Sequence, residues 1–468
     1  MPMGADQILT VAQMQAAEQG LIDAGIPVEE LMQRAGAGAA QWIWRIAGRG
    51  AVTILCGPGN NGGDGYVIAE ELRRRGARVT VIAAAAPATK AAQVARAAWQ
   101  GRVTPPDAAG GGDVFVDCLF GSGLTRPVDN RWAALIAQLA ATHRHSVAVD
   151  VPSNIASDDG QPLGPVPRYD LTVALGAWKY AHFTMPAAAL MGRLALVEIG
   201  IGSRADAALV LDKPQLAAPA ADAHKYTRGL LGIVTGTMPG AARLAAEAAM
   251  RAGAGYVRLL GPHSRDLALP AELVADERPL AEALSDGRYR ALLVGPGLGR
   301  DIGAHAALGE ALASGTPCVL DADALALLDP EARQRAGSLI LTPHEGELRK
   351  LEQAFGLEHD ARAPMHRRAA TLASVASAVV VAKGPNAAIA APGGGMHLAP
   401  RASPWLSVAG SGDVLAGIIA SRLATAADPD QAAAQGVWLH GEAARLAGPA
   451  FTAGGLAGQV ARAYAACL

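Results

Sequence analysis

Short apolar runs alternate with longer amphipathic stretches along most of the chain. AVTILC (51–56), ARVTVIA (77–83), DVFVDCLF (113–120) and SVAVDV (146–151) are separated by Ala-rich segments carrying Arg or Glu. Runs of this length predict buried strands and the segments between them predict crossover helices, the pattern of β-α units winding a mostly parallel sheet. Ahead of the first strand, residues 10–45 place apolar positions at helical spacing in QMQAAEQGLIDAG and VEELMQRAGAGAAQWIW, which predicts helices there. Between 198 and 228 the periodicity lapses into a Pro- and Ala-rich stretch, and a domain boundary is expected near 212–222. The alternation then restarts with LLGIVTG (230–236), GYVRLL (255–260), ALLVG (291–295), TPCVLDA (316–322), SLILTP (338–343) and AVVVAKG (378–384). Two α/β domains are expected, 1–215 and 216–468, each an open doubly wound sheet.

Composition narrows the function classes. A content of 51% hydrophobic and 18% charged residues excludes a disordered chain. Lys and Arg (40) nearly balance Asp and Glu (42), so no global field favours nucleic acid or a membrane surface, and neither is expected as a partner. Cys56, Cys118, Cys318 and Cys467 form no C-x-x-C pair, which suits reduced thiols in a reducing compartment. The start MPMGADQILT has neither a cationic beginning nor an apolar export core, so the cytoplasm is the expected location.

Chemistry-bearing residues gather after the strands. AVTILCGPGNNGGDGYVIAEEL sets a strand, a Gly/Asn-rich loop and an amphipathic helix in succession. Gly57, Gly59, Gly62, Gly63 and Gly65 permit close approach of a ligand to backbone N–H groups, and a helix starting near Gly65 offers its positive end to phosphate. A tight structural turn would need the glycines but not the cluster Asn60, Asn61 and Asp64. Asp117 closes a second strand before LFGSGLTRP (119–127), and Asp150 closes a third before VPSN (151–154). Ligands of open α/β sheets collect at such ends. Oxygens of Asn61, Asp117 and Ser153 are hard donors suited to an alkali or alkaline-earth cation, and Asp150 is a candidate acid–base group; each aspartate alone is more often a loop cap.

These strings, with LMQRAG (31–36), LTVALGAWK (171–179) and LVEIGI (196–201), resemble the N-terminal domain of the bifunctional NAD(P)H-hydrate repair enzymes over roughly 10–205. The resemblance implies a Rossmann-like three-layer domain that interconverts the R and S epimers at carbon 6 of the hydrated nicotinamide ring. It assigns substrate contacts to Asn60, Asn61, Gly62, Gly63 and Asp64, to Gly121, Ser122, Gly123, Leu124, Thr125, Arg126 and Pro127, and to Asp150, the catalytic candidate. Asn61, Asp117 and Ser153 would hold a potassium ion. Asn154 stands where the family usually has Gly.

In the second half, VAGSGDVLAGIIASRL (408–423) opens an apolar helix with Asp413 in its first turn. The N–H groups of Gly410–Gly412 suit an anion hole, and Asp413 can take a proton from an attacking hydroxyl; a helix cap would use the same residues. VGPGLG (294–299), LDADAL (320–325) with Asp321 and Asp323, LTPHEGELRKL (341–351) and AKGPNAAIA (382–390) supply four more polar strand ends. No G-x-x-x-x-G-K-[ST] loop is present, so a P-loop nucleotide site is excluded.

This set resembles the C-terminal, ribokinase-like domain of the same repair enzymes over roughly 223–468. The resemblance implies an ADP- or ATP-dependent dehydratase for the S hydrate of NADH or NADPH, with magnesium accompanying the nucleotide. Ala241, Ala242, Gly297, His344 and Asp413 would meet the hydrate, Asp413 catalysing. Lys383, Gly384, Pro385, Asn386, Ala387 and Gly412 would bind the adenine nucleotide. The sequence departs from the family with HEGE for HPGE, KGPNA for K-G-[AS]-x-T, Ala409 before GSGD, and HKYTRG for HKG-x-x-G. Loss of a Thr hydroxyl at Ala387 is expected to weaken nucleotide binding, and Glu345 to add negative charge near an anion. A homo-oligomer is expected. A small-molecule kinase of the same fold, or a non-enzymatic RNA-binding scaffold, are the alternatives; the attached first domain argues against the kinase, and the NNGGD loop with Asp117 and Asp150 against the scaffold.

Overall fold

The computed structural model describes residues 6–106, 110–261, 269–425 and 428–468. The chain divides into two compact units, Met1–Leu209 and Val210–Leu468. Among the described residues no helix is long and apolar enough to cross a membrane.

The first unit is built on a seven-stranded sheet in the order Val103–Thr104, Arg78–Ala83, Ala51–Cys56, Gly112–Cys118, His143–Val149, Leu171–Leu175, Arg193–Val197. Every neighbouring pair is parallel. Alternate residues of one strand serve opposite faces: Val52, Ile54 and Cys56 join a core with Ala39, Ile43 and Leu72 of two helices, whereas Leu55 packs with Leu135, Ile136 and Leu139 on the other side. Burial on both faces explains the nearly continuous apolar runs and gives the three layers. The helix after the first strand is Asn60–Arg74. It begins five residues before the expected start near Gly65, because Gly59 caps it in an extended conformation and Gly63 N–H already donates to Gly59 O at 3.1 Å. That early start presses Gly62 against the strand end, where a Cβ would stand 1.9 Å from Gly57 O, so only glycine fits.

In the second unit the parallel order is Val274–Asp276, Tyr256–Leu260, Leu230–Val234, Tyr289–Val294, Cys318–Leu320, Leu339–Leu341, Val379–Ala382. An antiparallel pair, Ala388–Ala390 and Met396–Leu398, continues it. One face is covered by the helices Pro239–Arg251 and Ser411–Ala424, which pack Ala242, Ala245, Leu415 and Ile419 onto Leu231, Ile233 and Leu293. These two helices touch backbone to side-chain position: a Cβ at Gly417 would lie 2.1 Å from Ala245 O.

Both sheets reverse their strand order once, between Ala51–Cys56 and Gly112–Cys118 in the first and between Leu230–Val234 and Tyr289–Val294 in the second. At such a switch point the following loops diverge to opposite faces and leave a crevice beyond the carboxyl ends.

Candidate active sites at the strand carboxyl ends

In the first unit that crevice is a cleft of about 490 Å³ lined by Asn60, Asn61, Asp64, Gly121 to Arg126, Asp150, Lys179 and Glu18, among others. The expected substrate residues therefore converge with three exceptions. Gly62 and Gly63 lie inside the first helical turn, packed against Gly57 O and the Met32 thioether, and Pro127 does not line the cleft. A Cβ at Gly121 would stand 2.9 Å from Asp150 Oδ2 and 3.2 Å from the Asn61 carboxamide carbon, so this glycine lets the two loops meet.

Asp150 has a left-handed backbone, φ 67°, and is 7% exposed. Lys179 Nζ donates to its Oδ1 at 2.5 Å and to Leu175 O at 2.6 Å, and Ser122 N–H donates to Oδ2 at 2.8 Å. Burial pushes the Asp150 carboxyl up, but the Lys179 ammonium and these hydrogen bonds outweigh it and hold it below the usual range. His182 fixes the pair from behind. Its Nδ1 accepts from Lys179 N–H at 2.9 Å, which leaves the proton on Nε2 to reach Asp150 O at 2.9 Å. Burial first, then Lys179, pulls His182 down to about 4, so it is neutral. Asp64 is the opposite case. Burial, then the charges of Asp150 and Glu18, push its carboxyl well above the ordinary range against the pull of Lys179.

Asp117 and Ser153 sit together beneath the cleft, each 1% exposed. Ser153 Oγ and N donate to Asp117 at 2.8 and 3.1 Å, and Tyr169 Oη donates at 2.6 Å. The Asn61 carboxamide oxygen and nitrogen are buried without a hydrogen-bond partner. An orphaned amide oxygen, a carboxylate and a hydroxyl are donors of the kind an alkali cation takes. Asn154 adopts φ 75°, which Asn tolerates almost as Gly does. Its side chain accepts from Val128 N at 2.7 Å and donates to Pro165 O at 3.1 Å, tying two loops that Gly would leave free.

In the second unit Gly410 caps the helix Ser411–Ala424 with φ 89°, and Asp413 is in the first turn. Burial, then the Asp321 carboxylate, push Asp413 up to about 6 against the pull of Lys383. Lys383 Nζ donates to Asp321 Oδ1 at 2.6 Å, and Thr342 Oγ donates to the same oxygen at 2.7 Å. A Cβ at Gly412 would lie 3.5 Å from Lys383 Nζ, so Gly412, Asp413, Lys383 and Asp321 form one cluster. Gly297 joins the helix start near Ala241 and Ala242: Met238 N–H donates to Gly297 O at 2.9 Å, and a Cβ at Gly297 would meet Met238 O at 2.1 Å. Asp323 braces the same glycine loop by accepting from Gly299 N and Arg300 Nε.

The rest of the expected nucleotide segment is turned toward residues 399–402: Ala402 and Ala399 N–H donate to Pro385 O and Ala387 O, and the Asn386 amide donates to Ala399 O. Gly384 rests near Met365. His344 is exposed and caps the helix Glu345–Ala354, its Nδ1 accepting from Gly346 N at 2.9 Å in a capping box with Glu347. Glu345 is ion-paired with Arg368, which answers the extra charge of HEGE.

Sequence reasoning missed Lys179, Glu18 and the Thr342 bond to Asp321. Lys179 had one signal, a charged residue closing the apolar run LTVALGAW.

Comparison with known proteins joins the two sites. Residues 231–464 match a family described as NAD(P)H-hydrate dehydratase, and 28–181 match one described as YjeF-related protein N-terminus. The bifunctional NAD(P)H-hydrate repair enzyme Nnr of Gloeobacter violaceus is 36% identical, over 93% of this chain and 92% of its own. The chain belongs to the bifunctional NAD(P)H-hydrate repair enzyme family. The enzyme of that name from Mycobacterium tuberculosis is 35% identical over 91% of this chain and 90% of its own. Among solved structures, the ADP/ATP-dependent NAD(P)H-hydrate dehydratase of Bacillus subtilis, co-crystallised with ATP and magnesium, is 30% identical, covers 54% of this chain and 95% of its own, and superposes with a TM-score of 0.46.

Proposed function

We propose that the chain repairs hydrated nicotinamide cofactors with two activities, epimerising R and S NAD(P)HX in the first unit and dehydrating the S form in the second at the expense of ADP or ATP. The observation that carries this is the presence, in one chain of this family, of a charged cluster beyond the carboxyl ends of the parallel strands in each unit: Asp150 with Lys179, and Asp413 with Lys383 and Asp321.

In the second site Asp413 accepts the proton of the hydrate's ring hydroxyl as that oxygen takes the terminal phosphoryl group of the nucleotide. The phosphate then departs with the carbon–oxygen bonding pair, assisted by the ring nitrogen's lone pair, and loss of a proton from the neighbouring carbon restores the dihydropyridine. Lys383 would neutralise phosphate charge, and the N–H groups of Gly410 and Gly412 would stabilise the transferring group, that of Ser411 being donated to Val408 O. Among the described residues no cluster of three or more His, Cys, Asp or Glu side chains is placed to hold a metal ion. Magnesium would accompany the nucleotide and supply screening of its phosphate charge. In the first site Asn61, Asp117 and Ser153 would hold potassium, which would supply positive charge to the site, and Asp150 would serve as the acid–base group.

Asp413→Asn is expected to abolish nucleotide-dependent recovery of reduced-cofactor absorbance while leaving epimer interconversion intact, and Asp150→Asn to do the reverse. Loss of both activities in either variant would show that the sites are wrongly divided.

A further inference from the structure

Asp64 differs from the other polar groups of its loop. It lines the same cleft as Asp150, Lys179 and Glu18 and is 7% exposed, yet no hydrogen bond or ion pair from the described residues reaches its carboxyl. A buried carboxyl left without a partner keeps its proton. Asp150, which lines the same cleft, is buried to the same degree but held ionised by Lys179 and Ser122. Two carboxyls in one cleft whose surroundings drive their proton affinities apart make an acid and a base.

We propose that Asp64 is a second catalytic residue of the first site, the proton donor that works with Asp150 in exchanging the hydroxyl at carbon 6; this rests on the epimerase reading above. The Asp64 O–H protonates the ring hydroxyl, the carbon–oxygen bond breaks with its electron pair, and water leaves as the nitrogen lone pair forms a C=N⁺ bond. Water then adds to the same carbon, the π pair returns to nitrogen, and Asp150 takes the surplus proton. One proton has moved from Asp64 to Asp150, and nothing is oxidised or reduced. Reaction in the opposite sense reverses the roles and returns the proton, as does exchange with solvent.

The groups facing Asp64 are consistent with this division. Glu18, from the helix Val11–Asp23, is itself pushed up by burial. The Cys56 and Cys118 thiols at the strand ends are pushed up by burial and stay neutral. Lys179 is engaged with Asp150, and Arg126 is exposed at the rim of the cleft.

The test uses the full chain and a pure epimer, following interconversion by NMR across pH for wild type, Asp64→Asn and Asp64→Glu. Asparagine is expected to lower kcat by about 10²–10⁴-fold with KM near wild type and to remove the alkaline limb of the pH profile; glutamate is expected to restore part of the rate. A KM near wild type, which only an intact first unit can give, together with partial rescue by glutamate, shows that the site carrying Asp64 is folded. A kcat within about tenfold of wild type with the alkaline limb intact, or a raised KM with kcat unchanged, would overturn the proposal and leave Asp64 a binding contact. A wild-type chain no faster than buffer would instead overturn the epimerase reading itself.

Discussion

Replacing Asp321 by Asn tests whether the second cluster sets the proton affinity of Asp413. The change keeps the side-chain shape and removes one negative charge from a group 1% exposed. Asp321 raises Asp413 and Lys383 lowers it, so deleting the first and freeing the second act in the same direction. With Asp413 pushed up to about 6, roughly a tenth of it is ionised one pH unit lower, and dehydration by wild type should fall about tenfold there. In Asp321→Asn the acid limb should move to lower pH, each unit of movement corresponding to about 1.4 kcal/mol of added preference for the carboxylate. The plateau rate should also fall, because Lys383 loses its anchor. Stability should drop by roughly 2–3 kcal/mol, below the full cost of breaking a buried pair, since the Lys383 side chain is 18% exposed and can reach water. The assay is kcat/KM for nucleotide-dependent recovery of the reduced cofactor between about pH 5 and 8, with urea unfolding in parallel. An acid limb that stays near 6 or rises in the variant would refute the coupling; a wild type without an acid limb would remove Asp413 as proton acceptor. The raised affinity of Asp413 also has a sign for stability: its contribution is complete below the ordinary value of 3.8 and is lost as pH rises through about 6.

Lys179→Met should cost about 3–5 kcal/mol in urea unfolding, because it strands a carboxylate in a pair whose side chains are 1% and 9% exposed. The double variant with Asp150→Asn should regain most of that, and a single-variant loss under about 1 kcal/mol would mean that Asp150 is solvated. Glu345→Pro, which restores the family's usual HPGE, should leave dehydration and stability within about 0.5 kcal/mol of wild type. Position 345 is the first helical residue, His344 before it is already extended, and Arg368 keeps its pair with Glu352; a marked gain in nucleotide affinity would show that the Glu345 charge does reach the ligand.

The strand-end aspartates and glycine loops were legible because each follows an apolar run too short for a helix and interrupts it with residues that have no packing role. The same alternation predicts parallel sheets but not the strand order that sets the two switch points, which long-range pairing decides. Lys179 was not legible as a partner of Asp150, since 29 residues separate them and only the parallel sheet brings the two ends together. Glu18 reads as an ordinary solvent-facing charge on an amphipathic helix. The Asn60 helix start was obscured because glycines predict a loop, whereas here they are what lets a helix press against a strand end. The edge pair Ala388–Ala390 and Met396–Leu398 is three residues a side and Ala-rich, below the length at which alternation can be read.

The left-handed backbone at Asp150 restricts what can replace it. A branched or alanine side chain there adds conformational strain to the loss of the acid, so an inactive alanine variant reports two injuries at once. Asparagine shares the tolerance for that conformation and lacks only the charge. A relative that had given up epimerisation while keeping its architecture would therefore be recognisable by an amide at this single position, and could serve as a natural one-activity version of the enzyme.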